Sequence, residues 1–414
     1  MKYKLSKSIA GLSLLLISFF PSFSQSNKFI SIKGQELIDP KGKVFEIKGT
    51  NLGNWLNPEG YMFLFEDKAS SFRLINEAFC EMVGEDFTNQ FWRKFKENYV
   101  TREDIFYIRK TGMNTLRIPF HYKLFTDEDY MGLTGNQDGF ELLDKVIKWC
   151  GEAGIYVILD MHDAPGGQTG DNIDDSYGYP WLFESPESQQ KFIAIWQKIA
   201  KRYAGNPTVM AYDLLNEPIA TYHEKDIPRL NAGLEPLYKK CVAAIRKVDK
   251  NHIIMLGGAQ WNSTFTVFSD WKFDDKLMYT CHIYWCKVEQ QSIQKFVDFR
   301  EKTNLPMYMG ETGENTDQWV EEFTQLLNKN KIGWTYWPYK KMVPKSGMMR
   351  IAKPEGWDEI IEYTKKDRSS FGKIREARPN QDLVRKAMTQ LLENMKFKNC
   401  EVDAGYVKAL GMKP

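Results

Sequence analysis

Residues 209–217 read VMAYDLLNE, a mostly apolar run that ends on an amide and a carboxylate. A short run of this kind suits a strand covered on both faces, as in a parallel sheet. The same pattern recurs on either side. Before it come 44–52 (VFEIKGTNL), 114–120 (NTLRIPF) and 156–162 (YVILDMH). After it come 252–257 (HIIMLG), 277–284 (LMYTCHIY), 306–311 (PMYMGE) and 333–337 (GWTYW). Helical patterns separate the runs, at 139–150, 188–203, 234–248, 289–302 and 316–328. Eight strand-then-helix units predict an α/β protein: a (β/α)8 TIM barrel forming a single catalytic domain. An open doubly wound sheet shares the alternation, but no GxGxxG or GxxxxGK[ST] follows any strand. Residues 29–43 (FISIKGQELIDPKGK) predict a short N-terminal β-hairpin under the barrel, and 341–414 carry two helical patterns around a long charged loop.

The chain has 414 residues, with 56 Lys plus Arg against 54 Asp plus Glu. A formal charge of +2 gives no footprint for nucleic acid as a partner. Residues 1–8 (MKYKLSKS) are basic and 9–20 (IAGLSLLLISFF) apolar, and small residues follow at 21–24. That is the layout of a signal peptide, 1–24, leaving a mature domain of 25–414 that is exported to the periplasm or beyond. Its removal takes three lysines and no acid, which turns the formal charge from +2 to −1. The apolar run is too short to span a bilayer, which needs about 20 residues, so no membrane span is expected. Export permits a disulfide, and Cys281 and Cys286 flank one aromatic segment. No CxxC or HExxH occurs and only five His are present, so neither a metal nor another cofactor is expected. The 12 Trp, 20 Tyr and 26 Phe suit a large core and also sugar faces stacked on rings.

In a TIM barrel the chemistry sits at the C-terminal ends of the strands. The predicted strands end on Arg117 with His121 just beyond, on Asp160 and His162, on Asn216 and Glu217, on His282 and Tyr284, on Glu311, and on Trp337. A buried lone carboxylate is costly unless paired, and this set of Arg, His, Asn and Tyr can hold two. Two facing carboxyls are the machinery of glycoside hydrolysis: one protonates the leaving oxygen, the other attacks the anomeric carbon. Glu217 and Glu311 come from the fourth and seventh strands, across the barrel from each other. His252, at a strand start, reads as a core histidine, and His121 as a sugar contact. The acidic run 171–175 lacks the spacing and Gly of a calcium loop and reads as a solvated loop.

These residues resemble glycoside hydrolase family 5 (cellulase family A) over about residues 47–339. The marks are KGTNLGNW (48–55), LRIP (116–119), DMH (160–162), NEP (216–218), HIY (282–284), GE (310–311) and Trp337. The stretches NLGNWL and DMHDAPGGQ (160–168) look most like the exo-β-1,3-glucanase branch. The resemblance implies a retaining β-glycoside hydrolase that cleaves a β-glucan. Glu217 would be its acid/base and Glu311 its nucleophile. Asn216 would hold a sugar 2-hydroxyl, Arg117 would pair with Glu311, and Tyr284 would hydrogen-bond it. His162 and His282 would contact sugar or orient the carboxyls, and Trp337 would lie under a sugar. The partner would be an oligo- or polysaccharide, and a monomer is expected. The alternatives are the same mechanism on mannan, xylan or a glycolipid head group, or a barrel that binds glycan without cutting it. Trp55, Trp181, Trp261 and Trp285 are candidates for further stacking or for the core. Residues 55–84, 169–181 and 341–374 depart from the family pattern, and loops there set substrate shape.

Overall fold

Eight parallel strands close on themselves in the computed structural model, which describes residues 1, 28–132, 138–342 and 346–414. The stretch read as a signal peptide lies, apart from Met1, outside the described residues. The barrel strands are β4 (Lys48–Asn51), β5 (Thr115–His121), β6 (Tyr156–Asp163), β7 (Val209–Asp213), β8 (Ile253–Gly257), β9 (Leu277–His282), β10 (Met307–Glu311) and β11 (Gly333–Tyr336). Each pairs with the next in the chain, and β11 returns to β4. Both faces are covered, which is why β5, β7 and β9 are buried at every position.

Before the barrel, β1 (Ser31–Lys33), β2 (Glu36–Ile38) and β3 (Val44–Phe45) form a small antiparallel sheet. Ile30 and Leu37 of this segment join Ile47, Ile158, Met210, Met278 and Tyr308 in a core cluster, so the sheet plugs the barrel bottom. The sequence reading ran Val44 and Phe45 into the first barrel strand. They belong instead to this plug, because they pair with Ile38 and Leu37.

Two regions that departed from the family pattern fold against each other. Between β4 and β5 stand three helices, Phe72–Val83, Glu85–Tyr99 and Arg102–Thr111. After β11 come β12 (Lys340–Met342), β13 (Met349–Ile351) and β14 (Glu401–Val402), which make a second small sheet. Four helices accompany it, Trp357–Lys365, Phe371–Ala377, Gln381–Asn394 and Ala404–Ala409, where two helices and a long loop were expected. Trp357 is buried, stacks on Phe65 at 5.8 Å, and donates its indole N–H to the Phe63 carbonyl at 2.9 Å. Aromatic packing therefore fixes the 55–84 segment beside the barrel mouth.

The acidic run 171–175 is not a solvated loop. Asp174 is buried and accepts from the backbone N–H groups of Thr169, Gly170 and Ser176, while Asp175 accepts from that of Arg73. All six cysteines are free thiols, Cys281 and Cys286 included. Among the described residues no helix is long and apolar enough to cross a membrane.

Candidate active site

Arg117 is fully buried inside the barrel. A guanidinium carries five N–H donors, and each needs an acceptor when water is excluded. Nε donates to Asp213 Oδ2 at 2.9 Å. Nη1 donates to Glu311 Oε1 at 2.5 Å and Asn51 Oδ1 at 3.2 Å. Nη2 donates to Asn216 Oδ1 at 2.9 Å and lies 3.0 Å from Asp160 Oδ1. One side chain thus ties together β4, β6, β7, β10 and the loop after β7. Burial pushes Asp160 and Asp213 each up to about 7, against the pull of Arg117.

Glu217 follows β7 with φ +45°, a left-handed conformation that costs a non-glycine residue free energy. Thr169 Oγ1 donates to the Glu217 carbonyl at 2.6 Å, and Ile219 N–H donates to the Gln168 carbonyl at 2.8 Å. Gln168 Nε2 donates in turn to the carbonyls of His162 and Asn216, both at 2.8 Å. The loops after β6 and β7 are therefore stapled into one unit that holds the strain.

Glu311 ends β10 and accepts from Arg117 and from the Tyr284 hydroxyl at 3.0 Å. Glu217 Oε1 faces His282 Nδ1 at 2.8 Å. Asn262 Nδ2 lies 3.2 Å from His282 Nε2, on the other side of the same ring. Carboxyl oxygens of Glu217 and Glu311 and a ring nitrogen of His282 lie within 4.8 Å of one another. The two acids have opposite surroundings. Glu311 rests against a buried cation, whereas burial pushes Glu217 up to about 7, with His162 and Arg117 opposing. Burial also lowers His162 to about 4 and His282 to about 3, so both rings are neutral at neutral pH.

A cleft of about 600 Å³ opens above these groups and is lined by His162, Asn216, Glu217, His282, Tyr284, Glu311 and Trp337 among others. Trp337 stacks against His162 at 5.3 Å and donates its indole N–H to the Tyr61 hydroxyl at 2.7 Å. A Cβ on Gly53 would come within 2.7 Å of the Trp337 ring, so only glycine fits beneath it. His162 Nδ1 is 2.8 Å from Asp160 Oδ2, and Asn216 Nδ2 is 3.4 Å from His162 Nε2. Trp261 and Trp285 line the cleft, and Trp285 is 73% exposed. Trp55 is core, its indole N–H held by the Lys96 carbonyl, and Trp181 stands outside the cleft against Tyr179. His252 is buried against Asp249 at 2.5 Å.

His121, read as a sugar contact, does not line the cleft. The extra residue where the β5–β6 pairing shifts is His162 of β6, so His121 pairs with Asp163, and it is His162 that reaches the cleft. The His121 ring is buried between Tyr122 and Tyr130, with Nε2 2.9 Å from Asp163 Oδ2. Conversely, Glu59 lines the cleft without having been singled out. It is buried, and its Oε1 accepts no hydrogen bond among the described residues. Burial first, then Glu311, Glu314, Glu217 and Asp171, raise it well above the ordinary carboxylate range. The next residue carries the signal that places it: a Cβ on Gly60 would sit 2.0 Å from the Ala69 carbonyl oxygen, so glycine lets the loop press Glu59 inward.

Among the described residues three groups could present ligand atoms to a metal: His121 with Asp163 and Asp175, Asp160 with His162 and Glu311, and Glu217 with His282 and Glu311. Within each, a His nitrogen already lies at hydrogen-bond distance from a carboxyl, at 2.8 or 2.9 Å.

Residues 77–342 match the family described as Cellulase (glycosyl hydrolase family 5). A β-xylosidase of Phanerodontia chrysosporium is 28% identical over 361 residues, covering 78% of this chain and 73% of its own. Endoglucanase C of Acetivibrio thermocellus is 28% identical over 313 residues, covering 61% and 87%. Among solved structures, rutinosidase from Aspergillus niger superimposes with a TM-score of 0.60 at 19% identity, covering 72% and 90%. An endogalactoceramidase does so at 0.58 and 17% identity, covering 76% and 75%. With the barrel, the paired glutamates at its mouth and the family match over most of its length, the chain belongs to the cellulase family, glycosyl hydrolase family 5, and is a glycoside hydrolase.

Proposed function

We propose that this enzyme cleaves β-glucosidic bonds of a β-glucan by double displacement, with Glu311 as nucleophile and Glu217 as acid/base. The observation that carries the reading is the pair of carboxyls whose oxygens lie within 4.8 Å of each other in opposite surroundings. Retaining enzymes hold the two groups about 5–5.5 Å apart, whereas inverting ones need about 6.5–9.5 Å to seat a water. Glu217 gives its proton to the leaving oxygen while Glu311 forms the bond to the anomeric carbon. Water then releases the sugar, with Glu217 taking its proton. Relatives named endoglucanase and glucan 1,3-β-glucosidase favour a β-glucan as substrate. Reducing-sugar release from β-1,3-, β-1,4- and β-1,6-glucans, mannan and xylan tests this, with Glu311→Gln alongside. Release from a glucan by wild type alone supports the reading, and release from mannan or xylan alone redirects it.

A second reading rests on Trp285. Its exposed ring at the cleft edge fits an apolar aglycone, as in a glycolipid. A glycolipid head group released in detergent, with every polysaccharide untouched, selects that reading. Export with removal of 1–24 and action as a monomer are parts of the same proposal. A released protein that begins at Gln25 and elutes at 25–414 monomer size supports both.

Two outcomes follow for catalysis. Glu217 must be protonated to act as acid, and burial holds its proton up to about pH 7. The kcat/KM profile therefore falls as pH rises through about 7. Burial and the neighbouring acids push Glu59 towards its protonated form, which offers the cleft both an O–H donor and a carbonyl acceptor. Glu59→Gln keeps both kinds of group and changes kcat/KM less than about 3-fold near neutral pH. Glu59→Ala loses about 10- to 100-fold, the worth of one or two buried hydrogen bonds. Steady-state kinetics on the best panel substrate checks each.

A further inference from the structure

We propose that Asp213, with Asp160 beside it, is the standing counter-ion of Arg117 and keeps the buried guanidinium paired when Glu311 gives up its charge. The inference rests on the double-displacement reading above. In the first step a Glu311 oxygen bonds to the anomeric carbon and the bond to the leaving oxygen breaks. The leaving group takes the electron pair, and Glu311 becomes a neutral ester. Arg117 stays charged and fully buried throughout, and a buried charge without a partner is strongly destabilising. If Glu311 were its only anion, each glycosylation would strand it.

The geometry supplies the remedy. Asp213 holds Nε at 2.9 Å and Asp160 lies 3.0 Å from Nη2, leaving Nη1 to Glu311. Both aspartates are fully buried, touch the guanidinium on other nitrogens than Glu311 does, and do not line the cleft, so substrate leaves them in place. With Glu311 ionised, three carboxyls face one cation, and burial pushes both aspartates up to about 7. With Glu311 esterified, they alone balance it. Asp213 is therefore a positioning residue that acts through Arg117, and its charge stabilises the glycosyl-enzyme more than the free enzyme.

Asp213→Asn separates this role from shape. Asp213 Oδ1 accepts no hydrogen bond among the described residues, so an amide can turn its NH2 there and still accept from Nε. The probe is a 2-deoxy-2-fluoro-β-glucoside with a dinitrophenolate leaving group, or the same derivative of whichever sugar the panel selects. Intact mass follows covalent labelling, and recovery of activity after the probe is removed follows release. Weakening the counter-ion raises the intermediate relative to both transition states. Labelling of Asp213→Asn is then expected to slow at least 10-fold, while recovery speeds at least 3-fold. A site merely misshapen slows both steps. Both slowing, or neither changing, overturns the proposal, and Asp160→Asn gives the same two rates should Asp213→Asn not fold. A wild type that never acquires the sugar overturns the double-displacement reading and this proposal with it; labelling of wild type with the wrong signs in the variant overturns this proposal alone.

Discussion

Glu311→Gln lowers kcat/KM by about 10⁴-fold or more on every substrate, because no other group at the anomeric carbon can form the covalent bond. The fold survives. A glutamine oxygen still accepts from Arg117 Nη1, and the amide can donate to the Tyr284 hydroxyl, which accepts as well as donates. Activity loss with an unchanged thermal melt is the expected pair of results. Glu217→Gln behaves differently. It loses turnover on polysaccharides, whose leaving alkoxide needs a proton, yet still forms the intermediate from dinitrophenyl glycosides, whose leaving group does not. If Glu311→Gln kept more than about one tenth of wild-type activity, the nucleophile would have to be another residue.

Arg117→Met is the second large effect, and it falls on stability as well as activity. It strands Asp160, Asp213 and Glu311 together in the barrel, and breaking a buried ion network of this kind costs about 3–5 kcal/mol. The pH dependence has a definite sign. Burial raises Asp160 and Asp213 above their unfolded values, so the folded chain binds more protons, and rising pH works against the fold between the ordinary carboxylate range and about 7. Arg117 limits that loss. Without it the window widens upward, so Arg117→Met is most stable near pH 5 and weakens steadily towards pH 8. Urea denaturation across that range checks it; a variant whose deficit against wild type is the same at every pH would show that packing alone was lost.

The barrel was legible because its strands must be apolar on both faces. The runs ending at Glu217 and Glu311 announce themselves, and the polar residue that closes each stands out for being polar. Asp213 was hidden by the same logic: inside VMAYDLLNE it is one acid in an apolar strand, and only the Arg117 beside it in space explains it. His121 misled because alternation along β5 counts it inward with Arg117, whereas the extra residue in β6 sets it beside Asp163, a pairing that residue types do not show. Glu59 lies in a loop with no period to betray it, and its burial depends on Gly60 packing against a backbone 9 residues away. The 341–414 region shows two helical patterns in sequence, whereas the structure has four helices there. The Phe371–Ala377 helix buries no residue, so its apolar pattern is weak.

The most direct test of two glutamates acting by double displacement is the configuration of the first sugar released, followed by proton NMR of the anomeric signal before mutarotation. Carboxyl oxygens within 4.8 Å of each other suit the short spacing of retaining enzymes better than the wider gap that seats a water. Two successive displacements restore the starting configuration, so a β-linked substrate is expected to give the β-anomer first. An α-anomer appearing first would mean a single displacement by water, and Glu311 would be a base rather than a nucleophile.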